Sequence, residues 1–106
     1  MTSRGESLRR TEEEIRAEKA ATLGRAGERL EAALAAAAAI RRALEEATEP
    51  PALERLRVEY ETARQRALDA RRVLIIQREA IGLRNHRVVD QRFPEPPRLS
   101  RREEAH

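Results

Sequence analysis

The sequence contains no cysteine, very few aromatic residues and no long apolar segment. Without cysteine the chain has no disulfide, no catalytic thiolate and no thiolate zinc site. Tyr60 is the only tyrosine, Phe93 is the only phenylalanine, and the chain has no tryptophan. This excludes a large aromatic core and a base-stacking platform for nucleic acid. The longest apolar run, residues 32–40, is far shorter than the roughly 20 residues that span a bilayer, so we expect no membrane contact. No charged-then-apolar leader opens the chain, and we therefore expect a cytoplasmic protein.

An excess of one charge is also missing, although the pI is near 10.4. The 22 basic residues are balanced by 19 acidic ones, which leaves a net charge of only +3. Lys19 is the only lysine, and the arginines that make up the rest stay charged at any ordinary pH and raise the pI. The two signs alternate along the chain, and no segment forms a basic block. The charge pattern therefore gives little support to nucleic-acid binding.

Two apolar repeats with spacings of three and four residues dominate the chain, and each is typical of a long helix packed lengthwise on another. Between the repeats, Pro50 and Pro51 remove backbone donors and stop a helix from passing straight through. The sequence thus predicts an all-α fold, a long antiparallel helical hairpin of coiled-coil type. The first repeat comprises Leu23, Ala26, Leu30, Ala33, Ala37, Ile40, Leu44 and Ala47, and the second comprises Leu53, Leu56, Tyr60, Ala63, Ala67, Ala70, Leu74, Gln77 and Ile81.

Local signals place the ends of these helices. Thr11 and Glu14 form a capping box, which predicts the start of the first helix. Gly24 and Gly27 lie within that helix and predict a close packing contact, because glycine weakens a helix and needs a reason to be there. The predicted division is a flexible N-terminal arm (1–10), the hairpin (11–83, with helix 11–47, turn 48–51 and helix 51–83) and an extended, irregular Pro-rich tail (84–106).

The C-terminal half of the second helix carries more large apolar side chains than one neighbouring helix covers. On a helical wheel several of them fall outside the seam that contains Leu74. We expect a homodimer to bury them, with two hairpins pairing into a four-helix bundle. Two alternatives stay open: the chain's own tail covers this end, or an unrelated helical protein does. The candidates for self-association are Val73, Ile75, Ile76, Ile81 and Leu83.

The tail combines arginine and amide side chains with a run of prolines at 94–97. We favour packing of this tail on the hairpin over two other interpretations, a polyproline-type strip for a partner's aromatic groove and a nucleic-acid contact. The nucleic-acid alternative would also use arginines of the second helix. The candidate tail contacts are Arg84, Arg87, Val88, Val89, Arg92 and Phe93, and the arginines of the second helix are Arg64, Arg71, Arg72 and Arg78.

Residue types that carry out chemistry are sparse. Glu28 and Glu31 resemble half of a carboxylate metal site, but the helix cores contain no histidine to complete a di-iron motif. His86 has arginines on both sides, which makes it a poor cation ligand, and we expect it to form a hydrogen bond at a helix end. We predict no catalytic, cofactor-binding or metal site. The sequence favours a non-enzymatic structural or protein-interaction module.

Overall fold

The computed structural model describes residues 3–100, and three helices account for most of them. They are α1 (Arg4–Glu46), α2 (Pro50–Ala80) and α3 (Arg87–Arg92). No strand occurs in this part of the chain. The two long helices pack against each other, and the molecule measures 73 × 24 × 15 Å. The predicted all-α helical hairpin is confirmed.

Helix α1 begins at Arg4 and not at the predicted Thr11, so residues 4–10 of the predicted flexible arm are helical. Ser3 is the N-cap, and its hydroxyl accepts a hydrogen bond from the backbone N–H of Glu6 at 3.1 Å. The Thr11 hydroxyl, which was expected to cap the helix, donates instead to the carbonyl of Ser7 at 3.0 Å. An earlier cap satisfies the first free backbone donors, so the second capping signal lies inside the helix.

The connection between the long helices is residues 47–49, and both prolines lie in the first turn of α2, where a missing N–H costs nothing. Helix α2 ends at Ala80, three residues before the predicted end at Leu83. Gly82 has φ +90° and closes the helix. The N–H of Leu83 donates to Arg78 O at 2.9 Å, and that of Gly82 donates to Glu79 O at 3.0 Å. This pair of bonds is the Schellman arrangement, for which glycine is suited at the position of positive φ.

The predicted extended tail begins with a short helix, α3, which corrects the expectation for residues 87–92. The side chain of Asn85 accepts a hydrogen bond from the N–H of Arg87 at 3.0 Å. The carbonyl of His86 accepts from the N–H groups of Val89 and Asp90, both at 3.0 Å. These contacts satisfy the first donors of the turn. Residues 94–100 have no regular secondary structure.

The core is a thin seam between α1 and α2 in two clusters. Small alanines on both helices let the backbones approach closely, while Leu30 and Tyr60 are the largest side chains that are fully buried. One cluster lies near the turn, and the other lies near the end of α2. The first contains Ala37, Tyr60 and Ala63, and the second contains Ala26, Leu30, Leu74 and Val89.

Helix α1 is longer than α2, with 43 residues against 31. Because Ala26 packs near Leu74, the last residue of α2, Ala80, lies at about the level of residue 20 of α1. Residues 3–21 are all exposed. We call residues 4–19 the α1 overhang, which projects about 24 Å beyond α2 at 1.5 Å per residue.

The expectation of a close contact at Gly24 and Gly27 is wrong, because a Cβ atom built at either position has no atom of a neighbour within 4 Å. Gly24 lies two residues from buried Ala26, which is about 200° around the helix and places it on the opposite face. Gly27 is rotated by about 100° from the same residue. Neither glycine therefore faces α2.

Candidate interaction surfaces

The C-terminal tail lies along the helical hairpin and completes both core clusters. Val89 of α3 is 2% exposed and packs with Ala26, Leu30 and Leu74. Phe93 is partly buried against the same cluster. Farther along, Leu99 packs against the cluster that contains Tyr60. The tail thus supplies a third layer of apolar contact to a core that has few large side chains.

Polar contacts from α2 hold the same tail segment. Arg71 forms ion pairs with Asp90 and, at 3.6 Å, with Glu95, and its Nε donates to the carbonyl of Phe93 at 3.4 Å. Its side chain is only 14% exposed, so these bonds are partly shielded from water. A guanidinium group presents several donors in a fixed plane, and one arginine can therefore bind three acceptors of an irregular segment.

Two further side chains of α2 bind carbonyl oxygens in the proline run. The Nε of Arg64 donates to Pro96 O at 3.2 Å, and Arg64 is buried. The hydroxyl of Tyr60 donates to Pro97 O. Proline has no backbone N–H, but its carbonyl oxygen remains an acceptor. A proline-rich segment therefore binds well to a helix face that offers hydrogen-bond donors.

Replacement of Tyr60 by phenylalanine tests the contact with the tail. The variant keeps the buried ring and removes the hydroxyl that donates to Pro97 O. We expect the free energy of unfolding to fall by about 1 kcal/mol, the net contribution of one ordinary hydrogen bond. Urea unfolding followed by circular dichroism measures it. An unchanged midpoint would show that the hydroxyl contributes nothing.

The six candidate tail contacts have different positions. Val89 is buried and Phe93 is partly buried, whereas Val88 is 52% exposed. The arginines at 84, 87 and 92 are exposed, and the guanidinium of Arg92 lies 5.2 Å from the centroid of the Phe93 ring. The tail therefore packs through its apolar residues and its carbonyl oxygens, while these three arginines face solvent.

Exposed apolar side chains are concentrated at the end of the molecule away from the turn. Val73, Ile76, Ile81 and Leu83 are 38–57% exposed. Ile75, the fifth self-association candidate, is half-buried against the cluster that contains Val89, so the tail covers this part of α2. We define the end patch as the exposed residues of α2, the loop after it and α3: Val73, Ile76, Ile81, Leu83 and Val88.

Sequence analysis did not single out Leu8 and Ile15 of the overhang as surface residues. They are 59% and 45% exposed and extend the apolar surface beyond α2. The unequal lengths of α1 and α2 leave them uncovered, whereas the predicted helices 11–47 and 51–83 differ little in length. Val58, near the turn, is the only other large apolar side chain among residues 3–100 with comparable exposure.

The arginines of α2 make contacts within the chain. Arg64 and Arg71 bind the tail as described above. Arg72 pairs with Asp69 at 3.2 Å. Arg78 donates to Asn85 O at 2.9 Å and to Nδ1 of His86 at 3.4 Å. These four arginines stabilise the helix, the tail and the loop after α2, and this reduces the number of charges that are oriented for an external phosphate.

A cleft of about 490 Å³ lies between α1 and the proline run of the tail. Leu34, Ala38, Tyr60 and Phe93 form apolar parts of its wall. Charged side chains of both signs, among them Arg92 and Glu95, also contribute to its lining. The cleft is open to solvent, and its lining contains no pairing of a nucleophile with a base.

Metal ligands do not converge in residues 3–100, where no group of three or more histidine and acidic side chains could hold an ion. Glu28 and Glu31 are both exposed on α1. Across the same residues, none of the helices combines the length and apolar character needed to cross a bilayer. Comparison with known proteins found no matching family model, no matching curated protein and no matching solved structure.

Proposed function

We propose that the protein is a non-enzymatic structural or protein-interaction module that forms a homodimer through the end patch. The observation that carries the proposal is the concentration of exposed apolar side chains at one end of the hairpin. Four of the five predicted self-association residues lie there with 38–57% of their surface exposed. Large apolar patches on an otherwise charged surface mark sites of protein association.

The end patch is large relative to the core of the hairpin. Moving a Val, Leu or Ile side chain from water into a packed interface contributes about 1.5–3 kcal/mol. The end patch has five such residues, each already partly covered, whereas the largest side chains that are fully buried in residues 3–100 are Tyr60 and Leu30. Burial of the patch would therefore add a substantial fraction to the 5–15 kcal/mol by which small domains are stable.

A second copy is the partner that we propose, because a two-fold contact uses one patch on both sides and needs no other protein. Val73 and Ile76 are three residues apart and lie side by side on one face of α2, which is turned away from the seam residue Leu74. Two antiparallel hairpins that meet through this face place four helices together, the bundle arrangement common for helix pairs.

Replacement of Ile76 by glutamate tests the proposal. Ile76 is 57% exposed in one copy, so the substitution leaves the hairpin folded but places a carboxylate in the interface. In a two-fold dimer both copies carry the change, and we expect the dissociation constant to rise at least about 100-fold. Light scattering on a sizing column measures the mass at low and high salt, and the wild-type dimer is expected to resist salt.

The matched control is Val58→Glu, which adds the same charge to an apolar side chain that is 60% exposed but lies near the turn. This variant is expected to remain a dimer. A wild-type monomer at high protein concentration would refute the proposal, as would an Ile76→Glu variant with an unchanged mass. Recovery of a different helical protein bound in place of a second copy would show that the patch serves a foreign partner.

A further inference from the structure

The α1 overhang presents its apolar residues on the face that α2 would cover if α2 were longer. Leu8 and Ile15 lie 18 and 11 residues before buried Ala26, which is five turns and about three turns of helix. The same side of α1 therefore faces α2 at Ala26 and faces solvent at Leu8 and Ile15. Along residues 4–19 this side is continuous with the seam of the hairpin.

We infer that the overhang of each copy packs on the α2 face of the other copy, at Val73 and Ile76. This arrangement rests on the proposed dimer, and in it each end patch contacts the overhang of the other copy rather than the other end patch. The two overhangs exchange across a two-fold axis. The same side of each α1 is thus covered twice. Its own α2 covers it along the hairpin, and the end of the partner's α2 covers it along the overhang.

The spacing of the apolar residues supports this register. Leu8 and Ile15 are seven residues apart, about two turns of helix, and the exposed apolar residues of the end patch run from Val73 to Leu83, just past the end of α2. A two-fold axis that reverses α1 makes the overhang of one copy run in the same direction as α2 of the other copy. Leu8 then lies beside Ile76, and Ile15 lies beside the turn that ends α2, with the axis near Arg16. Exposed apolar side chains of the overhang and of the end patch meet in this way without moving either helix.

The charges of the overhang are compatible with contact between copies. Residues 4–19 contain five basic and five acidic side chains and have no net charge. A segment without net charge is not repelled as a block by α2 of the other copy, and Glu12 and Arg16 already form an i,i+4 pair on the same helix. The overhang also gains helical stability from packing, since a solvated segment of this length is marginal by itself.

A double substitution, Leu8→Glu with Ile15→Glu, tests the inference. We expect the dissociation constant of the dimer to rise at least about 100-fold, because four apolar contacts are lost across the two-fold axis. The matched control is Ala17→Glu with Ala21→Glu. It adds the same charge to exposed positions of the same helix that lie roughly opposite Leu8, and it is expected to leave the dimer intact.

The two proposals fail in different ways. If the Leu8/Ile15 variant remains dimeric while Ile76→Glu dissociates, the overhang exchange is wrong and the end patch still mediates the dimer. If the wild-type chain is a monomer, the proposed function itself fails. Dissociation of both variants, with an intact dimer in both controls, is the result that we expect.

Cysteine cross-linking tests the register, since the chain has no cysteine of its own. We expect a chain with Leu8→Cys and Ile76→Cys to form covalent dimers on mild oxidation. In one copy these positions are about 24 Å apart along the axis of α1, too far for an internal disulfide. A chain with Ile15→Cys and Ile76→Cys is out of register by about two turns and is expected to cross-link poorly. Preferential cross-linking of this second pair would overturn the proposed register.

Discussion

Replacement of Leu30 by alanine is expected to lower the free energy of unfolding by about 2–5 kcal/mol, the range for a large-to-small change in a packed core. Leu30 is fully buried and contacts Leu74 of α2 and Val89 of α3 in one cluster. Its removal therefore weakens the packing of α1, α2 and α3 at the same time. Alanines form much of the remaining seam and have no side chain that can move into the cavity.

Urea unfolding followed by circular dichroism at 222 nm measures this effect. The control is Val58→Ala, since Val58 is 60% exposed and an exposed truncation should change the free energy by about 0.5 kcal/mol or less. A loss below about 1 kcal/mol for Leu30→Ala would mean that the cluster is not packed as described.

The hairpin could be predicted from sequence because its pattern is long and uninterrupted. Repeats with three- and four-residue spacing place Leu30 and Leu74 on facing seams, and both residues are buried. The proline pair determined where the chain turns, and both prolines lie in the first turn of α2. These signals are local or strictly periodic. A periodic pattern is recognised over many residues, so one residue that departs from it does not change the prediction.

The ends of the elements were less predictable, because competing signals have similar energies. Ser3 and Thr11 are both good N-caps, and nothing in the sequence tells which one the chain uses. The choice of Ser3 adds two turns to α1, which is about half of the overhang and includes Leu8. A difference in capping of about 1 kcal/mol thus determines whether Leu8 lies on the helix, whereas Ile15 is uncovered because α2 ends at Ala80.

The position of the tail depends on contacts that a periodic pattern does not encode. Arg71 binds Asp90, Glu95 and the carbonyl of Phe93, which lie 19 to 24 residues away in sequence. Such contacts join a helix to an irregular segment. Some of the acceptors are backbone carbonyl oxygens, which every residue has, so the sequence does not single them out. Sequence analysis favoured tail packing and self-association for the same helix end. In the structure the tail covers Ile75 and leaves Ile76 exposed.

Removal of residues 87–106 is expected to lower the free energy of unfolding by about 3 kcal/mol or more. Val89 is fully buried and contributes about 1.5–3 kcal/mol, and the half-buried side chains of Phe93 and Leu99 add to it. The truncation also removes the carbonyl of Pro96 that Arg64 binds, and with it one hydrogen bond between α2 and the tail.

The control for this truncation removes only residues 101–106, which lie outside the described part of the chain. Urea unfolding of both variants at low protein concentration separates loss of the core layer from loss of the dimer. The longer truncation should also lower the dependence of the unfolding free energy on urea, because less surface is exposed on unfolding. Equal stability of the two truncated chains would contradict a structural role for the tail. A large difference would show that a hairpin with so many alanines needs its tail as a third layer, because two alanine-rich helices bury too little apolar area by themselves.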